Sequence, residues 1–184
     1  MRITLKTGLI FAGIYMVIRL AFYFTGILGQ NILPSVMINI LCVLLAIAIG
    51  LYKQKRSETE PGSMLQDIKN GMTAGVPYAI LVAVFLYFFY EKIDPAYNQH
   101  QIAEAEALIA KNLDDPKSFA EIKASNPDFE VMTRDQIYDL MVQSPRAVFK
   151  ASTTMTITML ALLILGTMNS IFVTIVYRKI VFKQ

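Results

Sequence analysis

The segment GMTAGVPYAILVAVFLYFFY, residues 71–90, holds twenty residues without a charge and closes on four aromatic side chains. At 1.5 Å of rise per residue, a helix of this length crosses roughly 30 Å of hydrocarbon. Three more stretches read the same way. They cover about 7–28, 32–52 and 153–177, and the first is interrupted only by Arg19. A chain of 184 residues that is 55% hydrophobic agrees with that reading. The expected fold is all-α: a polytopic membrane protein of four transmembrane helices.

The connections set its organisation. Only Gly29, Gln30 and Asn31 separate the first two runs, so residues 1–52 form a transmembrane hairpin. A loop over 53–70 leads to the third span at 71–90. Residues 91–152 then form a helical insertion before the fourth span at 153–177 and a tail at 178–184. Short segments on one side carry Arg2, Lys6, Lys53, Lys55, Arg56, Lys69, Arg178, Lys179 and Lys183. The 91–152 insertion holds seven basic and eleven acidic residues. The positive-inside rule then puts both termini in the cytoplasm and residues 91–152 outside, as a periplasmic cap in a bacterial inner membrane. The basic excess suits an anionic leaflet and needs no nucleic acid. The first run is too long for a signal-peptide core, contains Arg19 and lacks a small-residue cleavage site before Gln30, so it is expected to remain.

Aromatic residues mark the span ends. Phe22 to Phe24 and Tyr87 to Tyr90 sit at one level, Tyr52 and Tyr177 at the other, each of the last two followed by a basic residue. Spans one and three also share a glycine, a tyrosine and a terminal aromatic cluster, consistent with two hairpins of one ancestral kind.

The insertion has its own punctuation. Asp94-Pro95 opens a helix whose stripe runs through Ile102, Ala105, Leu108, Ile109 and Leu113. Asp114-Asp115-Pro116 closes it and starts another through Ile122, and Asn126-Pro127 breaks that one. Thr133 and Gln136 make a capping box, and Ser144-Pro145 is expected to open a helix running unbroken into span four. Sixty residues bury little surface alone, so the stripes are expected to rest on the bundle, a partner or the membrane surface.

Arg19 is the first candidate for function. A charge at mid-span costs roughly 2.5–3.5 kcal/mol on insertion scales, and no span as bounded above contains Asp or Glu. Asn39 is its expected neutral partner, and Tyr78 lies at similar depth. Asn169 lies on a polar face of span four. Pro77 predicts a kink in span three. Gly71 with Gly75, and Gly166 with Ser170, have the small-x-x-x-small spacing of close helix packing, with a hinge as the alternative.

Catalytic chemistry is thin. Cys42 and His100 are the sole residues of their types, which removes intrachain disulfides, thiolate clusters and multi-histidine metal sites. No phosphate-binding glycine loop is present. No cofactor or metal is implied.

Taken whole, the chain resembles an uncharacterised bacterial inner-membrane family, the domain of unknown function 4199. The resemblance is carried by the tight first hairpin, the aromatic end of span three, the run Glu91-Lys92-Ile93-Asp94-Pro95-Ala96-Tyr97, the helical insertion and the fourth span. It implies four spans and an inner-membrane location, and no activity. The leading expectation is a non-enzymatic accessory or assembly subunit that binds a membrane or envelope partner, or a second copy, through its helix seams and cap. The alternative is a small transporter or lipid-binding protein in which Arg19 and Asn39 hold an anionic group. A membrane enzyme acting on a lipid-linked substrate is third.

Overall fold

The computed structural model describes residues 3–27, 31–58 and 62–182. Among them there are helices and no strand. Four helices are long and apolar enough to cross a membrane: Ile3–Thr25, Leu33–Ser57, Met64–Ile93 and Ala151–Val181. The protein is an all-α polytopic membrane protein. It divides into two compact units, Met1–Leu86 with Met155–Gln184, and Tyr87–Thr154.

The first unit is built from α1 (Ile3–Thr25), α2 (Leu33–Ser57), most of α3 (Met64–Phe88) and most of α7 (Ala151–Val176). α1 stops three residues short of the apolar run because Gly26 takes φ +64° and its amide bonds back to the Phe22 carbonyl at 3.1 Å. Residues 28–30 of the hairpin turn lie outside the described residues. α2 opens with a proline in its first turn and ends on Lys55 and Arg56, where basic groups suit the negative end of the helix dipole. It continues five residues past Tyr52, and α3 begins seven residues before Gly71. The segment read as a loop over 53–70 is therefore mostly helix.

Burial follows one face of each helix. On α1 it falls at Thr4, Thr7, Gly8, Ala12, Tyr15 and Arg19, spaced three or four apart. α2 and α3 bury more of their length than α1 and α7, so they form the centre and the other two flank it. Val43, Ala46, Ile47, Ala74, Ala79 and Val82 are fully buried there. Small residues set the spacing. A methyl group on Gly8 would collide with the Ala74 carbonyl, and one on Gly71 would sit 2.8 Å from Ser170 Oγ. Gly75 lies against Ile47 and the Gly166 backbone. Gly71 thus faces Ser170 and Gly75 faces Gly166, the register of antiparallel helices whose small pairs meet head to tail. α3 runs through Pro77 as one helix.

The second unit starts with a π-helical turn, Phe89–Ile93, at the end of α3. Asp94 caps α4 (Pro95–Asp114), accepting from the Tyr97 amide at 3.2 Å. Asp115 caps α5 (Pro116–Ser125), accepting from the Ser118 amide and hydroxyl at 3.0 and 2.7 Å. Those bonds hold its carboxyl below the usual carboxylate range. A short 3-10 turn, Pro127–Phe129, leads to α6 (Arg134–Val148), which opens on the Thr133–Gln136 capping box. α6 is tied to α4 by Arg134 with Asp114 and by Arg146 with Glu106, the latter at 2.6 Å.

One connection differs from expectation. Pro145 lies inside α6 rather than opening a helix, and that helix stops at Val148. Phe149 leaves the helical conformation at ψ 12°, and α7 starts afresh at Ala151. Pro145 has no amide to give to the preceding turn, so α6 loses a bond three residues before it ends.

Candidate functional site

Polar side chains in the first unit gather in two layers. The layer nearer the α1–α2 turn is assembled by helical spacing: Tyr15 and Arg19 are one turn apart on α1, Ser35 and Asn39 one turn apart on α2. Tyr78 comes from α3. All five are buried, at 3%, 6%, 2%, 7% and 0% exposure respectively. Tyr78 Oη donates to Asn39 Oδ1 at 2.7 Å and also lies 3.1 Å from the Asn39 carbonyl. Tyr15 and Ser35 hydroxyls are 3.4 Å apart. Arg19 is within electrostatic reach of the Tyr15 hydroxyl and is itself partnered.

Two of the sequence-selected residues are therefore joined directly. Tyr78 and Asn39 satisfy each other across α2 and α3, which removes the desolvation cost of two buried polar groups. Asn169 stands apart from this layer. Its amide donates to the Leu44 carbonyl at 3.4 Å, and in the π turn that follows α7 Tyr177 donates to the Ala48 carbonyl at 3.0 Å. These bonds fasten α7 to α2, as polar groups do between membrane helices. Pro77, Gly71, Gly75, Gly166 and Ser170 lie between the two layers, where the helices approach most closely.

The second layer, at the end carrying the chain termini, was not selected from the sequence. Asp67 is fully buried and receives Lys55 Nζ at 2.9 Å from α2 and an Arg178 guanidinium nitrogen at 2.7 Å from the π turn after α7. The same Arg178 nitrogen donates to the Gly62 carbonyl at 2.7 Å. The side chains of Lys55 and Arg178 are 2% and 22% exposed. One carboxylate thus joins three chain segments by charge. Asp67 Oδ1, Thr4 Oγ1 and Thr174 Oγ1 are buried without a hydrogen-bond partner among the described residues. Asn70 and Gln66 extend the polar layer to Glu58. Asp67 lies one turn before Gly71 on the stripe that continues through Ala74 and Tyr78, so extending that stripe backwards was the available signal.

In the second unit, the side chains at the helix ends form a separate cleft. It is bounded by the π turn, the first turn of α4 and the break between α6 and α7.

A family model described as "Protein of unknown function (DUF4199)" matches residues 6–179. The chain belongs to this family. No curated protein and no solved structure matches it. The DUF4199 match takes in most of all four spans and the whole helical insertion, so the first polar layer, the Lys55, Asp67 and Arg178 cluster and the cleft lie within the family's extent. The family description names no activity and assigns no residue a role.

Proposed function

We propose that this DUF4199 protein is a non-enzymatic accessory or assembly subunit of the bacterial inner membrane, with both termini cytoplasmic and residues 91–152 in the periplasm. The orientation rests on the one-sided distribution of Lys and Arg. The function rests on the state of the second unit. α5 buries no residue, α4 buries only Asn98 and Leu113, and α6 only Ile137 and Val142. Leu108, Val131 and Leu140 are 59%, 89% and 44% exposed. A unit that covers so little of its own apolar surface fits a role in holding another membrane or envelope protein. Meanwhile the intramembrane amide and phenol at Asn39 and Tyr78 satisfy each other, which suits packing.

A photo-crosslinking residue placed at Leu108, Val131 or Leu140 in living cells is expected to capture one discrete protein species. The same probe at Phe172, on the outer face of α7, is expected to capture lipid. A monomeric purified protein with no protein adduct from any cap position would overturn this reading.

A second reading, a small transporter or lipid-binding protein, is favoured by Arg19. It is a cation only 6% exposed, in the same buried polar layer as Asn39 and Tyr78. An anionic lipid retained through purification and lost in Arg19→Ala is the expected result on that reading. Retention unchanged by Arg19→Ala removes it.

A further inference from the structure

The Gly71–Ser170 and Gly75–Gly166 approaches fix the register of α3 against α7. One turn further towards the chain termini, the same register sets Asp67 opposite Thr174. Arg178, one turn beyond Thr174, agrees with this placement by reaching Asp67 Oδ2 at 2.7 Å. Asp67 and Thr174 are both 0% exposed. Asp67 Oδ1 and Thr174 Oγ1 are nevertheless without a hydrogen-bond partner among the described residues. The two oxygens therefore share one level of the bundle without bonding each other. Burying a carboxylate oxygen and a hydroxyl in this way is costly unless something satisfies them.

A helical hydroxyl ordinarily has a partner close at hand. On α3 and α7, Thr73, Thr167 and Ser170 each donate to the carbonyl four residues back, all at 2.8 Å. Thr174 makes no such bond to the Ser170 carbonyl, so its hydroxyl is left for a partner off the helix. Asp67 Oδ1 can only accept, and its partner must bring a proton. Charge decides which kind of partner that is. Asp67 Oδ2 already holds the Lys55 ammonium and the Arg178 guanidinium. A third cation on this carboxylate would stand close to two like charges, and an anion would meet the carboxylate itself. A small neutral donor suits both oxygens.

We propose that Asp67 Oδ1 and Thr174 Oγ1 together hold a buried water molecule, which donates to the carboxylate and bonds in turn to the threonine hydroxyl. Water fills this role because it bridges buried polar groups that packing keeps out of reach of one another. The ion pairs tie α3 to α2 and to the turn after α7, and the water ties α3 to α7 itself. Asp67 thereby fastens the bundle with both oxygens, one through charge and one through water. The inference is independent of the function proposed above.

Thr174→Val keeps the shape of the side chain and removes only its hydroxyl. The full-length protein in maltoside micelles, unfolded by graded addition of a denaturing detergent and followed by circular dichroism, reads its effect. Loss of a water-mediated bond is expected to shift the unfolding equilibrium about fivefold towards the unfolded state, the weight of one net hydrogen bond. A stranded hydroxyl gives the opposite result: an unchanged equilibrium, or one shifted towards the folded state, overturns the proposal. Coupling then locates the bond. In the Asp67→Leu, Lys55→Met protein, which lacks the carboxylate, Thr174→Val should cost nothing further, and an undiminished loss there overturns the proposal. The native titration repeated in sodium chloride and in choline chloride at equal ionic strength checks the ligand. Equal midpoints are expected, whereas stabilisation by sodium that Thr174→Val abolishes would assign a metal cation and overturn the water. If the double variant fails to fold, an experimental structure of the native protein that resolves waters decides instead. A water within hydrogen-bond distance of both oxygens is expected, and its absence overturns the proposal.

Discussion

Asp67→Ala is expected to lower the stability of the four-helix unit by about 3–5 kcal/mol, the cost of leaving a buried charge without its counter-ion. The buried cation that loses this carboxylate is Lys55, whose side chain is 2% exposed. Arg178, at 22%, is nearer water and keeps the Gly62 carbonyl. The ion pair itself need not contribute net stability, because desolvating both partners offsets much of their attraction. That gives the prediction a second arm. The double variant Asp67→Leu with Lys55→Met removes both charges and should recover most of the loss. Unfolding by graded addition of a denaturing detergent, followed by circular dichroism, measures both. An Asp67→Ala protein as stable as the native one would mean that Lys55 reaches water despite its position. A double variant no better than the single one would locate the cost in packing rather than charge.

Gly8→Ala should be the most damaging single-methyl change in α1. The added carbon meets the Ala74 carbonyl, a backbone atom that no rotamer change can move aside. Either α1 must retreat from α3 or α3 must bend, and overpacking of this kind costs about 1–3 kcal/mol. Gly13 is the internal control. It lies on the same helix, and a methyl group there meets nothing within 4 Å. Alanine is the better helix former by about 1 kcal/mol in water, so Gly13→Ala should be neutral or slightly stabilising. The two variants change the same atoms, and only their neighbours differ. Equal effects in a detergent-unfolding series would argue against the close α1–α3 approach.

These two sites differ in how far the sequence alone could lead to them. Gly71, Gly75, Gly166 and Ser170 stand out by spacing, since a close helix contact requires small residues four apart. Gly8 has the same spacing to Ala12, but that spacing alone does not single it out. Its importance depends on Ala74, 66 positions away. Lys55 and Asp67 look like residues of a polar loop when counted by hydropathy. They become interior groups because α2 and α3 extend until the two charges meet. Neither helix extension is encoded by its own apolar content.

What the sequence determined by itself is whatever depends on near neighbours along the chain. The four spans follow from uninterrupted apolar length. The starts of α4, α5 and α6 follow from Asp94, Asp115 and Thr133, each of which caps an amide three residues ahead. Tertiary structure alone decided the pairing of Tyr78 with Asn39, the joining of Asp67 to Lys55 and Arg178, and the cleft holding Glu91, Asn98 and Lys150. The residues in these groups are separated by 7 to 123 positions. Their contacts depend on how helices pack against one another, and helix packing is set by side-chain shape and close backbone approach that no local pattern records.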